Sequence, residues 1–155
     1  MRTDAAKTGI PRFAGAGRLR KNARMADYTV LNLTSDVEDM GERFGYAPNM
    51  EARFARKPLK LEKSGISYFK ISPGFRVPFG HVHDQQEEIY VLLSGSARVR
   101  LDDELVELSP MDAVRIPVST KRGFEAGPEG AELLAFGAPD TDNKDITMDQ
   151  EFWTD

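Results

Sequence analysis

The sequence predicts an all-β fold in a single domain, in which short antiparallel strands close into a barrel or sandwich. The chain has 155 residues, which is the length of one ordinary domain. Short β-like runs recur from residue 27 onwards, and Gly, Pro, Ser and Asp turn residues separate them. No helical pattern of roughly 10–15 residues alternates with these runs, which argues against a parallel sheet with crossover helices.

The predicted elements are short and closely spaced. We expect strands at 27–33, 50–54, 58–62, 65–72, 79–83, 87–94, 96–102, 104–108, 112–117, 122–126 and 131–137. One short helix is expected around 35–43, because Thr34 or Ser35 can cap its first turn and Glu38 is spaced as a capping-box partner.

The first 24 residues differ from the rest of the chain in charge and composition. They carry seven basic residues and one aspartate, with several glycines and no apolar period, so residues 1–24 are predicted to be a disordered basic arm. A transit peptide, a tail that contacts polyanions and a segment without function all remain open. Translation from Met25 would remove the arm altogether. Residues 25–137 are expected to form the barrel, and residues 138–155 an acidic C-terminal tail.

Composition excludes several functional classes. The chain has no cysteine, so disulfides, zinc–thiolate sites, iron–sulfur clusters and cysteine nucleophiles are excluded. Residues 25–155 carry 14 basic and 24 acidic residues, which disfavours nucleic acid as a partner. No apolar run approaches the roughly 20 residues of a membrane helix, so no membrane partner is expected. Because no long apolar signal segment is visible, we expect a cytoplasmic protein.

The C-terminal tail ends in a pair of large aromatic residues. Phe152 and Trp153 follow a stretch rich in aspartate. One interpretation is a solvated acidic tail. The other is that the aromatic pair folds back onto the barrel or a neighbour, because burying an indole stabilises a fold by a few kcal/mol.

The two histidines of the chain lie close together. On a strand, His81 and His83 place both imidazoles on one face. A turn at 84–86 would bring Glu88, at the start of the next strand, beside them. Two imidazoles and one carboxylate suit a divalent metal such as Fe(II), Mn(II), Ni(II) or Zn(II).

The spacing around this cluster resembles the first motif of the cupin superfamily. Gly74 is followed by six residues, then by His81-x-His83, four residues, Glu88, six residues and Gly95, with one extra residue in the first spacer. The resemblance covers most of residues 60–137. It implies a single-domain antiparallel double-stranded β-helix, the jelly-roll barrel, with the site inside it. It also implies a homodimer, and it is strongest toward small bacterial cupins of unassigned activity.

The second cupin motif aligns at 108–117 but departs from the pattern at three positions. Met111 stands where glycine is usual, and Ser119 replaces the glycine of Pro-x-Gly. Arg122 takes the place of the third metal-binding histidine. A guanidinium has no lone pair for a metal, so the fourth ligand that the resemblance implies is missing.

This substitution has two physical interpretations. Arg122 can point inward and pair with Glu88, which would leave a metal-free cluster of His, Glu and Arg. Alternatively it points outward or binds an anionic ligand, which would leave a weaker three-ligand metal site.

Two functional classes follow. The first is a barrel that binds a small molecule in its interior, for which an acidic molecule is one option, with a degenerate metal site. Its candidate ligand contacts are Arg122, Tyr90, Arg98 and Phe136, although Arg98 can also pair with Glu104 or Glu107. The second is a metal-dependent oxygenase or isomerase that uses His81, His83 and Glu88.

Overall fold

The computed structural model describes residues 27–138 and 145–154. The predicted arm, residues 1–24, lies outside the described residues. Within these described residues, eight strands and one four-residue helix make up the regular structure. In chain order they are β1 (Met50–Phe54), α1 (Arg56–Leu59), β2 (Gly65–Ile71), β3 (Gly80–His83), β4 (Glu88–Leu101), β5 (Glu104–Leu108), β6 (Ala113–Ile116), β7 (Arg122–Gly137) and β8 (Ile146–Asp149).

All paired strands are antiparallel, and two long strands organise the sheet. β4 and β7 pair along almost their whole length, from Glu88 opposite Gly137 to Leu101 opposite Arg122. β2 and β3 pair with the two ends of β7, and β1 and β8 extend the sheet beyond them. β5 and β6 pair with the two ends of β4. The curled, almost helix-free sheet confirms the predicted all-β barrel class.

Glycines allow the two long strands, β4 and β7, to bend within the region in which they pair. Gly95 on β4 and Gly130 on β7 both have a φ of +77°, which L side chains rarely adopt. A Cβ on Gly95 would lie 2.0 Å from the carbonyl oxygen of Gly130. The register between β4 and β7 shifts on both sides of Gly95, as expected for bulges that curve a sheet. The strands predicted at 87–94 and 96–102 form one continuous strand, as do those predicted at 122–126 and 131–137, because the glycines between them bend the strand and do not end it.

The core lies inside the curl of the sheet. Leu92 and Val99 of β4, Ile116 of β6 and Leu133 of β7 are almost completely buried. They alternate along their strands with residues that face outward, which is the period of two expected for a sheet with one buried face. This alternation decides which side chains reach the interior site.

Several predicted elements are wrong. Residues 27–33 form no strand, and residues 35–43, where a helix was expected, form turns, bends and irregular backbone. The side chains of Asn32 and Asp39 accept hydrogen bonds from nearby backbone N–H groups, which competes with a helix. The expected strand at 58–62 is replaced by α1 and the residues after it.

The C-terminal segment packs onto the barrel. β8 pairs with β3, and Phe152 is 5% exposed. The indole N–H of Trp153 donates a 2.7 Å hydrogen bond to the carbonyl of Val77. Of the two interpretations of the aromatic pair, the structure therefore shows the folded one. None of the helices among the described residues has the length and apolar character needed to cross a membrane.

Candidate functional site

A cavity of about 500 Å³ lies inside the barrel, a volume typical of sites for small organic ligands. Its walls come from β1, β2, β3, β4, β7 and β8 and from the loop before β1. His81, His83 and Glu88 all line it. The predicted cluster therefore faces a cavity that is open to solvent on one side and that a ligand can occupy.

The three residues converge as strand alternation predicts. The imidazole centroids of His81 and His83 are 5.2 Å apart, and the rings are nearly perpendicular. Glu88 Oε2 lies 3.7 Å from His81 Nε2 and 3.5 Å from His83 Nε2. One ligand atom from each residue lies within 4.8 Å of the others, so the group could hold a metal ion.

Asp145 lies behind His83 and orients it. Its Oδ2 is 3.0 Å from His83 Nδ1, and both residues are buried. The same carboxylate accepts hydrogen bonds from the backbone N–H groups of Gln85 and Gln86, which holds the turn between β3 and β4. A carboxylate at Nδ1 leaves Nε2 facing the site, as behind many metal-binding histidines. Sequence reasoning missed Asp145, because nothing distinguishes it from the other aspartates near the C-terminus.

Arg122 points inward. Its side chain is completely buried, and Nη2 lies 3.2 Å from Glu88 Oε2. Nη1 donates to the carbonyl of Thr120 at 3.0 Å and, at 3.4 Å, to that of His81. His81 and Arg122 are direct partners across β3 and β7, so the strand register sets this position. Of the two interpretations of Arg122, the geometry matches the charge pair with Glu88.

Glu88 is surrounded by groups that favour its charged form. Gln86 Nε2 donates to Oε1 at 3.1 Å, and Tyr90 Oη donates to Oε2 at 3.2 Å. Burial by itself raises the pKa of Glu88, but the adjacent imidazoles and the Arg122 charge outweigh it and hold the pKa well below its ordinary value. The Glu88 carboxylate is therefore ionised at neutral pH, and its charge is balanced inside the protein.

The same surroundings shift two other groups. Burial lowers the pKa of His81, an effect that Glu88 opposes and that Arg122 reinforces. Burial and the Glu88 charge raise the pKa of Tyr90 well above its ordinary value. At neutral pH the site thus presents a neutral His81 imidazole and a Tyr90 hydroxyl that keeps its proton.

The four predicted ligand contacts are distributed over both faces of the sheet. Tyr90 lines the cavity, and Arg122 lies behind Glu88. Arg98 faces outward because its neighbours Ala97 and Val99 occupy the inner face, and it pairs with Glu125 on β7 rather than with Glu104 or Glu107. Phe136 is also on the outer face, next to the inward-facing Ala135, and is 36% exposed. The structure thus removes Arg98 and Phe136 from the candidate site.

The aromatic character of the cavity wall was not predicted. Consecutive ring centroids are 4.5–6.5 Å apart, within the usual range of aromatic pairs. The rings follow one another in the order Phe79, Tyr46, Phe44, Phe54, Phe69, Tyr90 and Phe124. We call these seven side chains the aromatic belt. They come from separate parts of the sequence. Strand alternation predicts which residues of one strand share a face, but it does not predict that these seven rings meet around one cavity.

The donor set fits a divalent metal in kind and spacing. His81 and His83 supply imidazole nitrogens, Glu88 supplies a carboxylate oxygen, and Asp145 orients His83. Arg122 opposes a metal, because its fixed charge lies beside the same carboxylate oxygen. A bound metal would supply Lewis-acid chemistry to a molecule in the cavity, and a fourth protein ligand is absent from the described residues around it.

Comparison with known proteins agrees with this architecture. The family model for the cupin domain matches residues 67–137. A cupin protein from Bacteroides fragilis is 26% identical, with a TM-score of 0.60 over 76% of this chain and 89% of that one. KdgF from Halomonas sp. is 20% identical, with a TM-score of 0.59 over 77% and 98% of the two chains. Residues 67–137 therefore match the cupin domain, and the chain shares the fold of cupin proteins.

Two further structures share the fold at lower identity. The polyketide cyclase RemF from Streptomyces resistomycificus is 23% identical, with a TM-score of 0.64 over 82% of this chain and 87% of that one. Pac13 from Streptomyces, a nucleoside dehydratase, is 14% identical, with a TM-score of 0.59 over 81% and 91%. No curated protein matches the sequence significantly.

Proposed function

We propose that this protein binds a small molecule inside its barrel, with the cluster of His81, His83, Glu88 and Arg122 as a metal-free polar floor. One observation carries the proposal: the buried Arg122 guanidinium lies 3.2 Å from Glu88 Oε2, where the cupin pattern has a third histidine. A buried charge pair is strongly held, because removing either partner leaves an unpaired charge out of water. The pair therefore occupies the carboxylate that a metal would need.

The cavity supports binding of an organic ligand. Its volume of about 500 Å³ and its mixture of apolar walls with a few polar groups match small-molecule sites in general. Structures of a distant neighbour, the dehydratase Pac13, contain uridine. That likeness shows the fold alone, but it is consistent with a ligand in the barrel.

The proposal is tested by blocking the cavity. Ser67 lines it, whereas Ser109 is an exposed residue that does not. A mixed library of neutral, anionic and cationic small molecules is screened by ligand-observed NMR against the wild type, Ser67→Phe and Ser109→Phe. We expect hits that are lost in Ser67→Phe and kept in Ser109→Phe. A library without any such hit would contradict the proposal.

A metal-dependent enzyme, an oxygenase or isomerase, is the second candidate. The observation that favours it is the Asp145 carboxylate behind His83, an arrangement that supports metal-binding histidines. In that case His81, His83 and Glu88 would hold Fe, Mn, Ni or Zn. Elemental analysis of protein expressed in metal-supplemented medium decides between the candidates: a stoichiometric metal favours the enzyme.

The oligomeric state and compartment remain predictions. We propose a homodimer, because exposed apolar side chains share one outer face of the sheet, with Ile89 and Phe136 as direct cross-strand partners. We also propose that the protein acts in the cytoplasm, as expected from the sequence.

A further inference from the structure

The apolar rim of the cavity carries an inference about the ligand that rests on the proposed function. Four large apolar side chains line the cavity and are also exposed to solvent: Phe44 (46%), Phe54 (44%), Ile146 (40%) and Met148 (41%). Phe44 and Phe54 pack on each other beside β1, and Ile146 and Met148 lie on one face of β8, so this apolar rim lies at the two edges of the sheet. A ligand that fills the cavity up to this rim would remove their apolar surface from water.

The walls below the rim are aromatic. The aromatic belt runs without interruption from Phe79 through the rim residues Phe44 and Phe54 to Phe124. Flat rings at these spacings present faces and edges on which another flat ring packs well. A saturated molecule of equal volume would bury similar area but would gain none of this ring–ring interaction.

Four of the polar residues that line the cavity lie around Glu88. Gln86 and Tyr90 donate hydrogen bonds to its carboxylate, and both imidazoles lie beside it. Among the described residues that line the cavity, none is lysine or arginine. Arg122 supplies positive charge behind Glu88, and the two charges balance. An anionic ligand would therefore be desolvated next to a carboxylate without a cation of its own.

We infer that the ligand is a neutral, flat molecule of two or three fused aromatic rings that carries a hydroxyl or carbonyl oxygen. The rings lie between the faces of the aromatic belt and reach the rim. The oxygen lies at the polar floor, within the group formed by His81, Gln86 and Tyr90. This class differs from the acidic ligand that the sequence left open as one option, because Arg98 is outside the cavity and the charge of Arg122 is balanced.

Three probes of matched size test the inference. 2-Naphthol is neutral and aromatic at pH 7, 2-naphthoate is aromatic but anionic, and 2-decalol is neutral but saturated. Binding of each to the full chain is measured by titration calorimetry. We expect 2-naphthol to bind at least roughly tenfold more tightly than 2-naphthoate and at least roughly threefold more tightly than 2-decalol.

Two substitutions locate the binding. Phe69 belongs to the aromatic belt, and Phe136 lies on the outer face. Phe69→Leu should weaken 2-naphthol binding roughly tenfold, whereas Phe136→Leu should leave it unchanged. Phe79→Leu replaces Phe69→Leu as the test variant if the latter does not fold, as judged by circular dichroism.

Each other outcome overturns the inference. Tighter binding of 2-naphthoate, lost in Phe69→Leu, would leave the cavity as a binding site but make its ligand anionic. Equal binding of 2-naphthol and 2-decalol would remove the aromatic preference. The ligand class would be rejected if 2-naphthol bound equally well to the wild type and to Phe69→Leu. It would also be rejected if 2-naphthol did not bind at all. The cavity-blocking screen with Ser67→Phe judges the proposed function separately.

Discussion

Arg122 and Glu88 form a buried ion pair at the floor of the barrel, with Nη2 and Oε2 3.2 Å apart. Arg122 is the largest of the almost completely buried side chains, and its partner also accepts hydrogen bonds from Gln86 and Tyr90. The pair places a permanent cation where the cupin pattern has a neutral metal ligand. The same ion pair is therefore expected to affect both the free energy of unfolding of the barrel and the ability of Glu88 to bind a metal.

Removing the cation should destabilise the fold. Arg122→Leu leaves the Glu88 carboxylate buried without its charge partner, which is expected to lower the free energy of unfolding by about 3–5 kcal/mol. Arg115→Leu is the control, because Arg115 forms an exposed pair with Glu87 and should cost less than about 1 kcal/mol. Urea denaturation measures both. A loss below about 1 kcal/mol in Arg122→Leu would mean that the pair contributes little.

Restoring the imidazole should favour a metal. Arg122→His removes the cation beside Glu88 and supplies a fourth ligand, so affinity for Ni(II) or Co(II) should rise at least roughly tenfold. Calorimetric titration at neutral pH compares the variant with the wild type. Adding His83→Ala to the variant should abolish the gain. Equal and tight binding by both proteins would favour the enzyme candidate.

Phe152 should stabilise the barrel through its contact with β3. A Cβ on Gly80 would lie 2.3 Å from Phe152 Cγ, so Gly80→Ala should be destabilising in the wild type. Phe152→Ala should cost about 3 kcal/mol by leaving a void. In the double variant the cost of Gly80→Ala should fall without vanishing, because the ring is gone but the Cβ of residue 152 still lies 2.8 Å away. Gly65→Ala, whose Cβ would meet only an ordinary 3.7 Å contact, is the control. Additive losses in thermal or urea unfolding would exclude the contact.

Met111 occupies a backbone conformation suited to glycine. Its φ is +73°, and its side chain is largely exposed. Met111→Gly should raise the free energy of unfolding by about 0.5–1 kcal/mol, because the left-handed strain exceeds the entropic cost of glycine. Ala113→Gly, on the extended strand β6, should instead lower it by about the same amount. A lower free energy of unfolding in Met111→Gly would show that the methionine side chain makes a stabilising contact.

A homodimer should depend on the outer face of the sheet. Ile89→Lys and Phe136→Lys place charges on two exposed cross-strand partners and should shift the protein to a monomer in sedimentation velocity experiments. Leu105→Lys, on the exposed strand β5, should not. A wild-type monomer at micromolar concentration would contradict the predicted dimer.

Local patterns in the chain were enough to predict the all-β class and the convergence of three site residues, whereas the closed barrel followed from the resemblance to cupins. Strand alternation has a period of two, so His81 and His83 share a face whatever the rest of the chain does. The turn between His83 and Glu88 is short, so the Glu88 carboxylate is expected to lie beside the two imidazoles. Turn residues and short apolar runs likewise predicted the all-β class, although glycine marks a bend in β4 and β7 rather than a break.

Such local patterns could not predict the contacts between segments that are distant in the chain. Asp145 contacts His83 although 62 residues separate them in the chain. The aromatic belt likewise brings together rings from six separate stretches of chain. Strand pairing and sheet curvature decide which of these distant residues lie close together. The orientation of Arg122 depended on its register opposite His81. Arg98 and Phe136 fell on the outer face for the same reason. Chain-local chemistry thus specified the all-β class and the pair of imidazoles on one face, whereas the closing of the sheet decided which charges meet and which side chains line the cavity.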